Sequence, residues 1–242
     1  MLIDAHCHVD QYTDPTAIAR EAERDGMVVV AVTNTPIAYE EAVRHLSRYR
    51  GVISALGIHP RVQRNSTDLL GAFLRLQGRA THIGEIGLHY SGLDEAERAR
   101  QRRILEEVLR ATHRSNKVHN IHAVGAAEDI FAMLSDYKCR HVVMHWYSGP
   151  TRLVDELLSI GCLFSINQAM MRSPKGRHIA AMLPMGRVLT ETDGPYVRVS
   201  SAPARPRDVE LLLRQLAHAW DLTEGETEAQ IASNFCGLTE MG

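Results

Sequence analysis

The sequence predicts an α/β protein of the (β/α)₈, or TIM, barrel class, laid out as one domain over residues 1–242. Three observations predict it. The chain has 242 residues, close to the roughly 250 of one complete barrel. Eight short apolar runs, several dense in β-branched residues, alternate with longer amphipathic segments from end to end. That is the pattern of a parallel sheet with right-handed helical crossovers. No G-x-G-x-x-G turn follows the first run, which leaves an open dinucleotide-binding sheet without its main support.

The expected strands are Leu2–Val9, Met27–Thr33, Val52–Ile58, His82–Gly87, Val118–Ala123, His141–Trp146, Cys162–Asn167 and Val188–Thr192. Runs such as MVVVAVT and HVVMH read as strands buried on both faces. The helices between them carry start signals. Asp14-Pro15 and Thr35-Pro36 each set a capping side chain before a proline suited to a first helical turn. Ile104, Leu105, Val108, Leu109 and Thr112 recur at helical spacing, as do Val209, Leu212, Leu213, Leu216 and Trp220. No repeat, low-complexity tract or composition shift marks a second domain.

Composition narrows the function classes. With 27 basic and 29 acidic side chains, the net charge of −2 argues against a protein that coats nucleic acid non-specifically. A nuclease stays open, because bound metal supplies its own positive charge. Cys7, Cys139, Cys162 and Cys236 form no C-x-x-C pair, so the expected compartment is the reducing cytoplasm. The start, MLIDAHCHVD, lacks the apolar stretch of a signal peptide. No apolar run approaches the ~18 residues of a membrane span, so no membrane association is expected.

The chemistry-bearing residues fall at strand ends. His6 and His8 close the first strand and, by alternation, point the same way while Cys7 points oppositely. Strand four carries Glu85 in G-E-I-G, strand five His122 in I-H-A, strand six His145 in M-H-W, and strand eight Asp193 in T-E-T-D. Any one of these alone is more often a hydrogen-bonded core residue than a ligand. Six at strand ends point instead to divalent metal ions at the barrel mouth. Imidazoles suit zinc or manganese better than magnesium, and carboxylates can bridge two ions per chain.

Other histidines fail the same test. His82 and His119 lie an odd number of residues from Glu85 and His122, which sends them toward the helical layer; His141 sits low in the barrel; His45, His113, His178 and His218 fall in or near helices. His59, in G-I-H-P, is expected at the rim within reach of substrate. Asp193, Glu85 and His59 are therefore the candidate catalytic residues, Asp193 as the base that orients a water and takes its proton. For substrate contacts the expectation falls on Arg172, Lys175 and Arg177 after strand seven, where barrels often bind phosphate. Tyr90 is added as a ring on which a base stacks, whereas Trp146 is expected to pack.

D-A-H-C-H-V-D, G-I-H-P, G-E-I-G-L, I-H-A, H-W-Y-S-G and E-T-D-G-P-Y, in that order, resemble the signature of TatD-type metal-dependent deoxyribonucleases, part of the amidohydrolase-like barrel group. The resemblance runs from Ile3 to N-F-x-x-L near Asn234. H-C-H-V-D-x-Y, T-x-T-P and E-T-D-G-P look closest to the TatD-like nuclease component of Qat anti-phage defence systems. The resemblance implies one ion on His6, His8, Glu85 and Asp193, and a second on Glu85, His122 and His145. It further implies cleavage of DNA, single-stranded or from 3′ ends, and partner proteins in a defence complex. Two departures stand out. His89 occupies the place of the family's usual aspartate, and Val124 that of its usual phosphate-gripping arginine. Two other functions compete: hydrolysis of a small ester or amide, and a non-catalytic scaffold subunit of a defence complex.

Overall fold

Eight parallel strands, hydrogen-bonded in chain order, curl into a barrel with helices around it. The computed structural model describes residues 1–65 and 68–240. The strands are β1 (Ile3–Cys7), β2 (Val28–Val32), β3 (Val52–Leu56), β4 (His82–His89), β5 (Val118–Val124), β6 (Val142–His145), β7 (Leu163–Ile166) and β8 (Val188–Thr190). All eight fall on expected runs. Six of the eight stop short of the expected carboxyl end. Trp146 and Asp193 take left-handed φ values of 38° and 49°, which no strand continues.

The helices are α1 (Pro15–Arg24), α2 (Pro36–Leu46), α3 (Leu69–Leu76), α4 (Glu95–Thr112), α5 (Ala127–Asp136), α6 (Arg152–Ser159), α7 (Gln168–Arg172), α8 (Pro174–Met182), α9 (Val209–Trp220) and α10 (Glu224–Glu240). The two caps expected from sequence form. Asp14 Oδ1 accepts the Ala17 N–H at 2.9 Å, and Thr35 Oγ1 accepts the Ala38 N–H at 3.1 Å, each worth about 1 kcal/mol. Leu105, Val108 and Leu109 of α4 and Leu212, Leu213 and Leu216 of α9 bury their apolar stripe against the barrel. His82 stacks over Phe235 of α10, and His119 meets Thr112 of α4 at 2.9 Å, so both do face the helical layer. No helix among the described residues is long and apolar enough to cross a membrane.

The seam between β8 and β1 is closed without a strand ladder among the described residues. Asp4 lies there, fully buried, and accepts the Thr192 N–H at 2.9 Å and the Thr192 hydroxyl at 2.5 Å. Asp193 N–H donates to His6 O at 2.9 Å, and His8 N–H donates to Gly194 O at 2.8 Å. These bonds satisfy backbone groups that would otherwise be buried unpaired. They also set His6, His8 and Asp193 side by side, although 187 residues separate His6 from Asp193 in the chain.

Candidate metal centre

Two glycines let the strands close around Glu85. A Cβ on Gly57 would fall 1.7 Å from Thr33 O and 2.7 Å from Glu85 N, and one on Gly87 would fall 2.0 Å from His122 O. Only glycine fits at such approaches, and Gly87 also takes a φ of 140°. Glu85 therefore sits deep in the mouth with a histidine on every side.

Its two oxygens face different groups. Oε2 lies 3.1 Å from His8 Nε2 and 3.6 Å from His6 Nε2. Oε1 lies 2.6 Å from His122 Nδ1, 3.5 Å from His59 Nε2 and 3.8 Å from His145 Nε2. Asp193 Oδ1 completes the first group, 3.6 Å from His8 Nε2 and 3.9 Å from His6 Nε2. The six expected ligands are thus brought together, from five strands or their exits.

Hydrogen bonds behind the rings fix their tautomers. His145 Nδ1–H donates to Glu191 at 2.8 Å, and His6 Nδ1–H donates to Asn120 Oδ1 at 3.3 Å. Each ring then turns the lone pair of Nε2 into the site. Glu191, fully buried, is held in turn by the Ser165 hydroxyl and by Asn167 Nδ2 at 2.8 Å. His59 behaves differently. Its Nδ1 accepts the Arg61 N–H at 3.1 Å, which leaves the proton of the neutral ring on Nε2. His59 is therefore a donor toward Glu85 rather than a lone-pair ligand, although its nitrogen lies close enough to Glu85 and His122 to be grouped with them. His122 is clasped from both sides, by Glu85 on Nδ1 and by His89 Nδ1 at 2.9 Å on Nε2.

The electrostatics favour a cation. Burial, then the neighbouring acids Glu191, Glu85 and Asp4, push the Asp193 carboxyl up to about 9. Burial lifts Glu191 to about 7. Burial and the charge of His145 pull His6 down to about 4, and burial takes His145 to about 3, which keeps both imidazoles neutral as ligation requires. Burial opposes the charge on Glu85, but His59 and His122 overcome it and hold its carboxyl well below the usual range. Several buried acids facing neutral imidazoles are an arrangement that a divalent ion relieves. His6 Nε2 and His8 Nδ1 are buried with no hydrogen-bond partner. Three groups of potential ligands, His6–His8–Asp193, His6–Glu85–His145 and His59–Glu85–His122, have their ligand atoms within 4.8 Å of one another. The residues fit metal.

The site opens into a cavity of about 390 Å³ lined by His8, Asn34, His59, Arg61, Val62, Glu85, His89, His122, His145, Trp146, Asp193 and Tyr196, a volume within the range of ligand sites. Not every expected contact reaches it. Tyr90 is buried, with its hydroxyl on Asp129 at 2.5 Å, and lies outside the lining. Arg172 donates to Arg198 O, Lys175 to Ser148 O, and Arg177 to Met171 O and Arg172 O. These three cations cap carbonyls outside the cavity lining. Trp146 packs against the core as expected and also forms part of the wall. Sequence reasoning missed Glu191, Arg61 and Tyr196. Glu191 had a signal, since it lies two residues before Asp193 and so on the same face.

A family model described as TatD related DNase matches residues 3–240. An uncharacterised metal-dependent hydrolase of Methanocaldococcus jannaschii is 24% identical over 242 aligned residues, covering 97% of this chain and 95% of the relative. The deoxyribonuclease Tat-D of Schizosaccharomyces pombe is 24% identical over 208 residues, covering 79% of this chain and 67% of that protein. Among solved structures, the TatD homologue YjjV of Escherichia coli superposes with a TM-score of 0.88 at 22% identity, over 100% of this chain and 98% of that one.

Proposed function

The chain belongs to the TatD family of metal-dependent hydrolases, and on that premise we propose that it cleaves DNA phosphodiester bonds with two divalent ions at the barrel mouth. The observation that carries the reading is the two-sided setting of Glu85. One oxygen faces His6 and His8, and the other faces His122 and His145, so a single carboxylate can serve both ions. The imidazole-rich donor set favours zinc or manganese over magnesium. Ions held there would supply Lewis acidity to a phosphoryl oxygen and to a water molecule.

The chain's own residues do the rest. Asp193 turns Oδ1 toward His6 and His8, which leaves its other oxygen to orient the attacking water and take its proton. His59 presents Nε2–H toward the reacting centre and can donate to a phosphoryl oxygen. Trp146 and Tyr196 line the cavity, and Tyr196 is 56% exposed. An unpaired base stacked on such a ring gains about 1–3 kcal/mol, which supports single-stranded DNA or a frayed 3′ end as substrate. Work within an anti-phage defence complex in the cytoplasm belongs to the same proposal, supported by H-C-H-V-D-x-Y, T-x-T-P and E-T-D-G-P; co-purification with proteins encoded beside it is its test.

Purified protein loaded with Zn²⁺, Mn²⁺ or Mg²⁺ should cleave single-stranded DNA, lose that activity to a chelator, and lose it in Asp193→Asn with the fold retained by circular dichroism. Turnover of small esters or amides with none of DNA would replace this reading. Full activity in Asp193→Asn would remove the general-base role.

A further inference from the structure

This inference rests on the phosphodiesterase reading and names the residue that grips the substrate's charge. Among the described residues that line the cavity, Arg61 is the one arginine or lysine. The neighbouring strand end offers no alternative, since Val124, paired across the ladder with His89, is apolar. Arg172, Lys175 and Arg177 are engaged elsewhere. The Arg61 side chain is exposed and enters no ion pair among the described residues.

The backbone that carries Arg61 is held to the metal centre at three points. The Arg61 N–H donates to His59 Nδ1 at 3.1 Å, and the His59 N–H donates to Asn34 O at 3.0 Å. Gln101, 5% exposed on α4, donates from Nε2 to Pro60 O at 3.2 Å and accepts the His89 N–H at 2.8 Å. One buried amide thus ties the Arg61 turn to the end of β4. Arg61 and His89 line the same cavity.

We propose that Arg61 is a substrate-binding residue whose guanidinium clamps a phosphate oxygen of the nucleic-acid backbone at the edge of the cavity. An arginine in this position has the geometry for it. Its planar fork pairs two N–H groups with two phosphate oxygens, whereas imidazole offers one. The clamp discriminates by charge: an anionic diester gains the contact and an uncharged ester does not.

The test uses the metal-loaded full chain as wild type, Arg61→Met and Arg61→Lys. Inorganic phosphate is titrated calorimetrically, and KM and kcat are measured for single-stranded DNA and for p-nitrophenyl acetate. Arg61→Met should bind phosphate about 10- to 100-fold more weakly. Its KM for DNA should rise in step, and by more than its KM for the uncharged acetate ester, with metal content unchanged. Arg61→Lys should recover part of the loss. Phosphate affinity unchanged in Arg61→Met, or no phosphate binding by the wild type, overturns the assignment. Arg61-dependent phosphate binding without DNA turnover supports the clamp while removing the nuclease reading.

Discussion

Replacing Glu191 with glutamine keeps the shape of a fully buried side chain and removes its charge. The carboxylate accepts three donors: His145 Nδ1–H and the Ser165 hydroxyl on one oxygen, and Asn167 Nδ2 on the other. Glutamine has a single oxygen, so its NH₂ must face a donor in either orientation. Turned toward Asn167, it meets an amide that cannot flip, because Asn167 Oδ1 caps the Met170 N–H at 2.9 Å. Turned toward His145, it forces the imidazole to accept on Nδ1 and to carry its proton on Nε2, the nitrogen that faces the metal centre. The cost is one charge-assisted bond weakened and one buried donor unsatisfied, together about 2–4 kcal/mol. If His145 is a ligand, part of that should appear as a metal affinity about 10- to 100-fold lower. Competition with a chromophoric chelator reads the affinity, and thermal unfolding of the metal-free proteins reads the remainder. Metal binding as tight in Glu191→Gln as in the wild type would refute the tautomer argument.

Two further outcomes follow from the packing. Gly57→Ala places a Cβ against the backbone of both β2's exit and Glu85, and should cost about 3 kcal/mol in urea unfolding; a loss under about 1 kcal/mol would show that these strands can part. His119 is fully buried, and burial with the charge of His141 lowers its pKa from 6.5 to about 4. The unfolded ring takes up a proton near pH 6.5 and the folded ring does so near 4, so its contribution is intact above about 6.5 and declines as pH falls toward 4. The full effect is on the order of 3 kcal/mol for one ring. Unfolding free energies at pH 7 and 4.5 should therefore differ less in His119→Gln than in the wild type; an equal difference would refute the assignment.

The fold and the gathering of six side chains at the mouth were legible because both rest on local pattern. β-branched runs mark strands, and period-two alternation puts His6 with His8 on one face. The same rule argues against Tyr90, which lies five residues, an odd number, from Glu85. Arg61, in a short 3₁₀ helix, and Tyr196, on a loop, are placed by distant partners, Gln101 and Asn34 for one and the β8 exit for the other, and no periodicity reports that. The basic run after strand seven misled for the opposite reason. In sequence, a cation that caps a carbonyl looks the same as one that waits for a phosphate.

The Asp4 seam has a consequence for biosynthesis. Because His6 and His8 meet Asp193 only when the last strand docks, a chain cut short before residue 193 lacks that half of the centre. Closure of the ring, rather than growth of any one strand, is then the event that completes the site.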